Sequence, residues 1–395
     1  MNALETHAST AHLRAVVSLE TLRQNLALVR QRLPADTELI ACVKANAYGH
    51  GLRAVAGCLE VEGVRWLSLG SPAEALALRR WGIACDILLF PTGEGDDPAL
   101  LLDAGITVGV QSFAEAAALA RAARARPPSI FLKVDSGLGR VGVPLGEAAN
   151  LAARIRSALP AVRLAGVFTH LPFGGSEGAS WVEGRLAEFG RVVAEIRAAT
   201  AGPLLVQALA SAGIACGMEA PETNAVCPGQ LLFGIEPSWL STPFGTRPVL
   251  TEVRTVLGTL RDVAPGTRFG ASGGQAATRS TRLGALPIGY SNSILVQKAG
   301  QRVRVEDQDA PVLSVSLEHA VVDLSDVENA RTGASVCLLA SEPGVGPSLA
   351  EVAARQGRSP LEVLVSLTGR AVYEYADGDR ARSGHAQLDS PRTGS

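Results

Sequence analysis

Lys44 closes the apolar run Ile40-Ala41-Cys42-Val43 and opens the stretch Ala45-Asn46-Ala47-Tyr48-Gly49-His50-Gly51. A cation thus ends a strand-like segment, with a tyrosine one helical turn further on. Burial disfavours the charged form of an amine, and a lysine partly desolvated in this way becomes a usable nucleophile toward a carbonyl cofactor. The alternative for any single lysine is a solvated surface side chain, so its company has to decide.

That company recurs down the chain in a fixed order. It comprises Leu132-Lys133-Val134-Asp135-Ser136-Gly137-Leu138-Gly139-Arg140-Val141-Gly142, Gly166-Val167-Phe168-Thr169-His170, Ser211-Ala212, Pro228-Gly229 with Leu232-Phe233-Gly234, and Leu286-Pro287-Ile288-Gly289-Tyr290. With the Lys44 stretch, these segments resemble the alanine racemases, fold type III enzymes of pyridoxal 5'-phosphate, over most of residues 16–324. An ordered set is far more specific than any one motif. The resemblance implies that Lys44 holds the cofactor as a Schiff base and then shuttles a proton at the substrate α-carbon. It also implies that Tyr48, Ser211 and the backbone amides of Gly229 and Gln230 bind the cofactor phosphate, a task suited to small residues and N–H groups at a helix start. Arg140 would grip a substrate carboxylate with its permanently charged fork. Lys133 matches a position that is carbamylated in some members and then positions the arginine; a plain lysine is the alternative.

The chain departs from that pattern at linked places. The family's second acid/base is a tyrosine supplied by the neighbouring subunit, and the matching position is Phe269, whose ring exchanges no proton. Where the family sets an arginine against the pyridine nitrogen, this chain has Cys227, a weak donor or, ionised, an acceptor, which alters the strength of the electron sink. His170 matches the histidine that links those two positions. Near the substrate, a usual Met-Asp-Gln becomes Leu317-Glu318-His319, and a usual Tyr-Ala-Asp-Gly becomes Tyr290-Ser291-Asn292-Ser293. By resemblance Phe269, Tyr290, Leu317 and Glu318 face Lys44 of a partner in a head-to-tail homodimer with shared sites, and the candidate substitutes for the lost phenol are Tyr290, His319, Glu318 or water.

The elements that must position these residues follow from periodicity. Short apolar segments at 39–43, 66–69, 87–90, 107–110, 131–134, 164–168 and 204–209 alternate with amphipathic stretches at 19–33, 73–81, 112–124, 147–159 and 181–198, the pattern of βα units. Their number predicts a closed (β/α)8 TIM-type barrel over 13–242, with site residues at strand carboxyl ends. Beyond it, β-like runs at 249–257, 283–288, 312–317, 320–324 and 335–339, with helical stretches at 348–356 and 360–367, predict a β-rich C-terminal domain over 243–376. Residues 1–12 read as a flexible tail without a signal-peptide core, and the polar stretch 377–395 as a disordered one.

Composition narrows the function classes. Of 395 residues 47% are hydrophobic and 19% charged, and 36 basic against 38 acidic residues leave a net charge of −2. No basic field for nucleic acid, membrane span or polybasic patch is evident. The six cysteines form no CxxC or Cys/His cluster, which points away from a metal site or disulfide framework and toward a cytoplasmic protein. Three readings follow. The first is an atypical amino-acid racemase or epimerase. The second is one-base, aldol-type cleavage or transfer on a β-hydroxy amino acid, with His170 taking the hydroxyl proton. The third is a non-catalytic cofactor-binding protein.

Overall fold

Eight short strands pair in parallel, each with the next and the last with the first, to close a barrel. In chain order they are Glu38–Cys42, Trp66–Leu69, Asp86–Leu89, Thr107–Val110, Ser129–Asp135, Arg163–Phe168, Leu205–Ala210 and Ala225–Cys227. The computed structural model describes residues 12–91, 97–124, 126–171, 178–200, 202–270 and 274–376. Both expected tails, 1–11 and 377–395, lie outside the described residues. No helix among those described is long and apolar enough to cross a membrane.

The barrel forms because its strands are apolar on both faces, as a parallel sheet wrapped in helices requires. Trp66, Leu67, Ser68 and Leu69 are all buried, as are Ile87, Leu88 and Leu89. The helices begin at side-chain caps: Ser71 accepts from Glu74 N–H at 3.4 Å, Asp97 from Ala99 N–H at 2.9 Å and Ser112 from Glu115 N–H at 3.2 Å. Aromatic rings fill the interior, with Phe131 5.4 Å from Trp66 and 6.2 Å from Phe168 between ring centroids. Gly166 makes that layer fit, because a Cβ there would run into the Phe131 ring. Strand alternation then sets the next inward layer toward the carboxyl ends: Phe131 leads to Lys133, Phe168 to His170, Ile40 to Cys42.

A second compact unit consists of the described residues up to Leu22 with 249–376; the barrel unit is Arg23–Pro248. Its nine-stranded sheet runs in the order Thr259–Val263, Thr281–Leu286, Ala320–Asp323, Gln308–Val315, Arg302–Val305, Ser335–Ala340, Leu250–Val256, Arg14–Ser18, Val372–Ala376. Residues 13–22 therefore leave the barrel domain to which their sequence position assigned them. The ladder is the reason: Arg14–Val17 pairs antiparallel with 250–254 and Arg14–Ser18 parallel with Val372–Ala376. Arg14 and Arg254 both bond Glu374, the latter at 2.5 Å. Burial works against that carboxylate, but the two guanidiniums win and lower its pKa. Two helices, Leu349–Gln356 and Pro360–Val365, each start at a capping box, Ser348 with Glu351 and Ser359 with Glu362.

One segment of the barrel unit defies chirality. Ala45, Asn46, Ala47 and Tyr48 have φ of 53–54° and ψ of 35–57°, a full turn of left-handed helix directly after Lys44. Each L-residue in that conformation costs roughly 1–2 kcal/mol, so the neighbours must hold it. Asn46 N–H donates to Glu74 Oε1 at 2.6 Å, and Asn46 Oδ1 accepts from Leu52 N–H at 2.8 Å. The buried His50 ring places Nδ1 3.0 Å from the carbonyls of both Ala47 and Tyr48 and stacks on Phe233 at 4.7 Å. Ala45 is exposed, so Ala45→Gly removes the Cβ strain without touching the core. Net of the added freedom of the unfolded chain, the variant is expected to raise the unfolding free energy by about 0.5–1 kcal/mol; denaturant titration showing it destabilised would contradict the strain.

Candidate active site

The carboxyl ends of the barrel strands carry Lys44, Lys133, Arg140, His170, Ser211 and Cys227 at one mouth. Lys44 follows the strand Glu38–Cys42 and is exposed there, its Nζ 5.8 Å from the centroid of the buried Tyr48 ring. The expected desolvation of this amine by the protein is not found. The left-handed turn lifts Lys44 out of the wall, and the desolvated lysine of the mouth is Lys133. That residue is only 4% exposed, its Nζ lies 4.9 Å over the Phe168 ring, and burial pushes its pKa down to about 7. Asp135 opposes that shift and the Arg140 charge adds to it.

Arg140 sits in a loop organised by one carboxylate. Asp135 Oδ1 accepts from the N–H groups of Gly137 at 3.0 Å, Leu138 at 2.8 Å and Gly139 at 3.2 Å, and Oδ2 accepts from Gly139 at 3.0 Å. The far end is tied by Gly142 N–H to Gln111 Oε1 at 2.8 Å. Arg140 itself is exposed, which suits a group meant to meet a free carboxylate. Below it, Thr169 Oγ1 donates to Val134 O at 2.9 Å and to Ser136 Oγ at 2.8 Å, joining the strand that carries Lys133 to the end of the strand Arg163–Phe168, two residues before His170. The His170 ring is reachable by water yet crowded. Desolvation first, then the charges of Lys133, Lys44 and Arg140, bring its pKa down to about 4. Lys44, Lys133, Arg140 and His170 therefore share one electrostatic neighbourhood.

A serine hydroxyl and two backbone amides meet across the mouth. Ser211, buried at the start of a five-residue helix, accepts on its Oγ from Gly229 N–H at 3.0 Å and from Leu231 N–H at 3.2 Å. Gly229 thus presents its amide to Ser211, where sequence reasoning had it facing an anion directly. With both lone pairs occupied, the serine hydroxyl has its hydrogen left to donate. Gly229 must be glycine, since a Cβ would run into the Tyr48 hydroxyl. Gln230, half-buried, opens the short 3-10 turn Gln230–Phe233.

Two residues that sequence reasoning passed over stand beside Cys227. Its Sγ is 3.3 Å from Ser68 Oγ, and the Cys42 Sγ is 3.5 Å from the Tyr48 hydroxyl. Cys42 lies two residues before Lys44 and was legible only as one of six thiols; Ser68 gave no signal.

The remaining candidates belong to the other unit. Tyr290 begins the turn Tyr290–Asn292, and its N–H donates to Ser316 O at 3.0 Å, while Ser291 N–H donates to Leu317 O at 3.0 Å. Gly289 allows this approach, because a Cβ would meet the Ser316 and Leu317 backbone. Tyr290, Leu317 and Glu318 are consequently one exposed patch, with Tyr290 42% and Leu317 55% accessible. The strand expected to reach Leu317 stops at Val315, and Ser316 closes the tight turn by donating to His319 O. Phe269 is half-buried and packs with Leu313 and Val321 against Val263, Ala277 and Leu283; part of its ring serves that core.

Comparison with known proteins agrees with this geometry. A profile described as alanine racemase, N-terminal domain, matches residues 17–237, and one described as alanine racemase, C-terminal domain, matches 250–375. The alanine racemase of Geobacter sp. (strain M21) is 30% identical over 373 residues, covering 90% of this chain and 96% of that protein. That of Pectobacterium carotovorum subsp. carotovorum (strain PC1) is 31% identical over 378 residues, covering 92% and 99%. The crystal structure of alanine racemase from the D-cycloserine producer Streptomyces lavendulae superposes with a TM-score of 0.83 at 26% identity, over 95% of this chain and 99% of that one. The chain thus belongs to the alanine racemase family of pyridoxal-phosphate-dependent isomerases.

Proposed function

We propose that this protein is an atypical amino-acid racemase or epimerase in which Lys44 serves one face of the substrate α-carbon and a group other than the family's tyrosine serves the other. The observation that carries the reading is the convergence at one barrel mouth of an accessible lysine, an exposed arginine on a carboxylate-organised loop and a serine hydroxyl left with only its hydrogen to give. These residues suit pyridoxal phosphate. Ser211, with Gly229 and Gln230 beside it, offers donors to the phosphate, and Lys44 offers an amine to the aldehyde. When bound, the cofactor supplies an electron sink that makes the α-proton of an amino acid acidic.

The chain's own residues do the rest. Lys44 Nζ takes or returns the α-proton on its side, and Arg140 orients the substrate by its carboxylate, with Lys133 behind it. Phe269 transfers no proton. The proton on the opposite face is assigned to Tyr290, exposed with Leu317 and Glu318 on the second unit. That assignment requires a homodimer in which this patch of one chain completes the mouth of its partner. A cytoplasmic site of action belongs to the same reading, supported by six free thiols. One-base aldol chemistry through His170 has less support. A ring held near 4 by desolvation first and by its cationic neighbours second is a feeble base at neutral pH, where catalytic bases work best near the operating pH.

Incubation with single amino acids in D₂O tests the assignment: α-deuteration with inversion is expected, whereas exchange with retention indicates one-base chemistry and no exchange with any amino acid a binding protein. Phe269→Tyr is expected to raise racemisation at least tenfold; an unchanged rate counts against a missing base. Mixing Lys44→Ala with Tyr290→Phe chains should restore activity, because a hybrid dimer keeps one mouth whole, and failure to complement would remove Tyr290 or the shared site. The histidine reading has its own measurement. His50 and His170 are both held near 4 by desolvation, with cations adding at His170 and two carbonyl bonds opposing at His50. Their ring NMR signals should titrate there rather than at 6.5. Since an unfolded chain protonates them first, both contribute stability that is complete above 6.5 and lost as pH falls toward 4.

A further inference from the structure

The loop that presents Arg140 is held at both ends by polar bonds. Asp135 accepts from the amides of Gly137, Leu138 and Gly139 at one end, and Gly142 N–H donates to Gln111 at the other. Between them the loop meets an aromatic ring. Trp181 stands in the first turn of the helix Ala179–Ala198, within the same barrel unit. Gly137 has a φ of 112°, and a Cβ there would lie 2.7 Å from Cη2 and 2.8 Å from Cζ2 of the Trp181 indole, with Arg185 Cδ 3.8 Å away. Only a residue without a side chain lets the backbone come so close to the ring. The Arg185 guanidinium, one turn along the same helix, lies 6.0 Å from the ring centroid and pairs with Glu188, at the outer reach of cation–π attraction.

Trp181 is 45% accessible, so the ring is no part of the barrel core, and its covered edge faces the loop. The helix entry does not call for it either, since Gly178 at the N-cap gives the first turn no side-chain bond. What the ring does touch is the stretch that leads into Arg140, three residues on. The guanidinium is exposed and its fork is planar, so the direction it points is set by the backbone that carries it, and a displacement of about 1 Å in such a group weakens the orientation of whatever it holds. We propose that Trp181 is a positioning residue for the substrate carboxylate: its indole is the wall that keeps the 137–140 backbone, and through it the Arg140 fork, where a carboxylate is met. The inference rests on the proposed role of Arg140 and adds the residue on which that grip depends. Arg185 supports the ring in turn, and Glu188 holds Arg185.

Backbone hydrogen exchange of the cofactor-loaded, full-length protein reads the wall without any substrate. The amides of Gly137, Leu138 and Gly139 are expected to exchange about tenfold faster in Trp181→Ala and to stay within about threefold of the native rate in Trp181→Phe, which keeps a ring. Modification of Arg140 by phenylglyoxal, followed by peptide mass spectrometry with acetate as the probe carboxylate, reads the grip. Acetate should protect Arg140 in the native and Trp181→Phe proteins, and the half-protecting concentration should rise about tenfold in Trp181→Ala. Arg185→Ala removes the ring's support and serves if Trp181→Ala does not fold, with both shifts in the same direction and smaller. Unchanged exchange at the three amides overturns the wall. Faster exchange with an unmoved acetate midpoint overturns the positioning role and leaves a packing contact. No protection by acetate in the native protein strikes the reading of Arg140 itself, and this inference with it, whatever the amides do.

Discussion

Everything at the barrel mouth depends on a turn of the wrong hand. A right-handed helix after the strand Glu38–Cys42 would carry the chain off along the barrel wall in the ordinary way. The left-handed turn instead raises Lys44 into solvent and tucks Tyr48 back beneath it, against Phe233 at 5.2 Å. Four L-residues in that conformation are sustained by bonds whose geometry leaves little slack: a side-chain carboxylate from the next βα unit on Asn46, an asparagine oxygen on the following helix, and a buried imidazole spanning two carbonyls. His50 and Glu74 are thereby as necessary to the lysine's position as the strand that precedes it.

The electrostatics of the mouth follow from where water is excluded. The amine that the protein desolvates is Lys133, against the aromatic layer, and not the accessible Lys44. Desolvation keeps the His170 imidazole neutral, and the basic groups Lys133, Lys44 and Arg140 around it act in the same direction. Asp135 offsets part of this charge at Lys133, while its oxygens also accept from three backbone amides that set the loop's shape. The result is a positive mouth with a rigid arginine loop, the field an anionic substrate needs.

The barrel floor and the second unit each use small packing to set a side chain. Cys227 Sγ lies 3.3 Å from the Ser68 hydroxyl and Cys42 Sγ 3.5 Å from the Tyr48 hydroxyl. Phe269 has a ring that exchanges no proton and adds part of its surface to a small core of its own unit.

Much of this was legible in the chain. Lys44, Arg140, His170, Ser211 and Gly229 could be placed because each lies at a fixed offset from an apolar segment, and local periodicity sets which face a residue takes. The closed barrel was legible as well, but the left-handed turn and the contacts of the buried thiols were not, for a common reason: each depends on groups brought together from distant parts of the sequence. The strand Arg14–Ser18 shows it most plainly, reading locally as the start of the barrel yet pairing with 250–254 and Val372–Ala376. Sequence alone determined which residue types stand where along the strands. Tertiary structure decided which of them lose their water and which share a charge, because desolvation and electrostatic neighbourhood are properties of an assembled environment and not of any single segment.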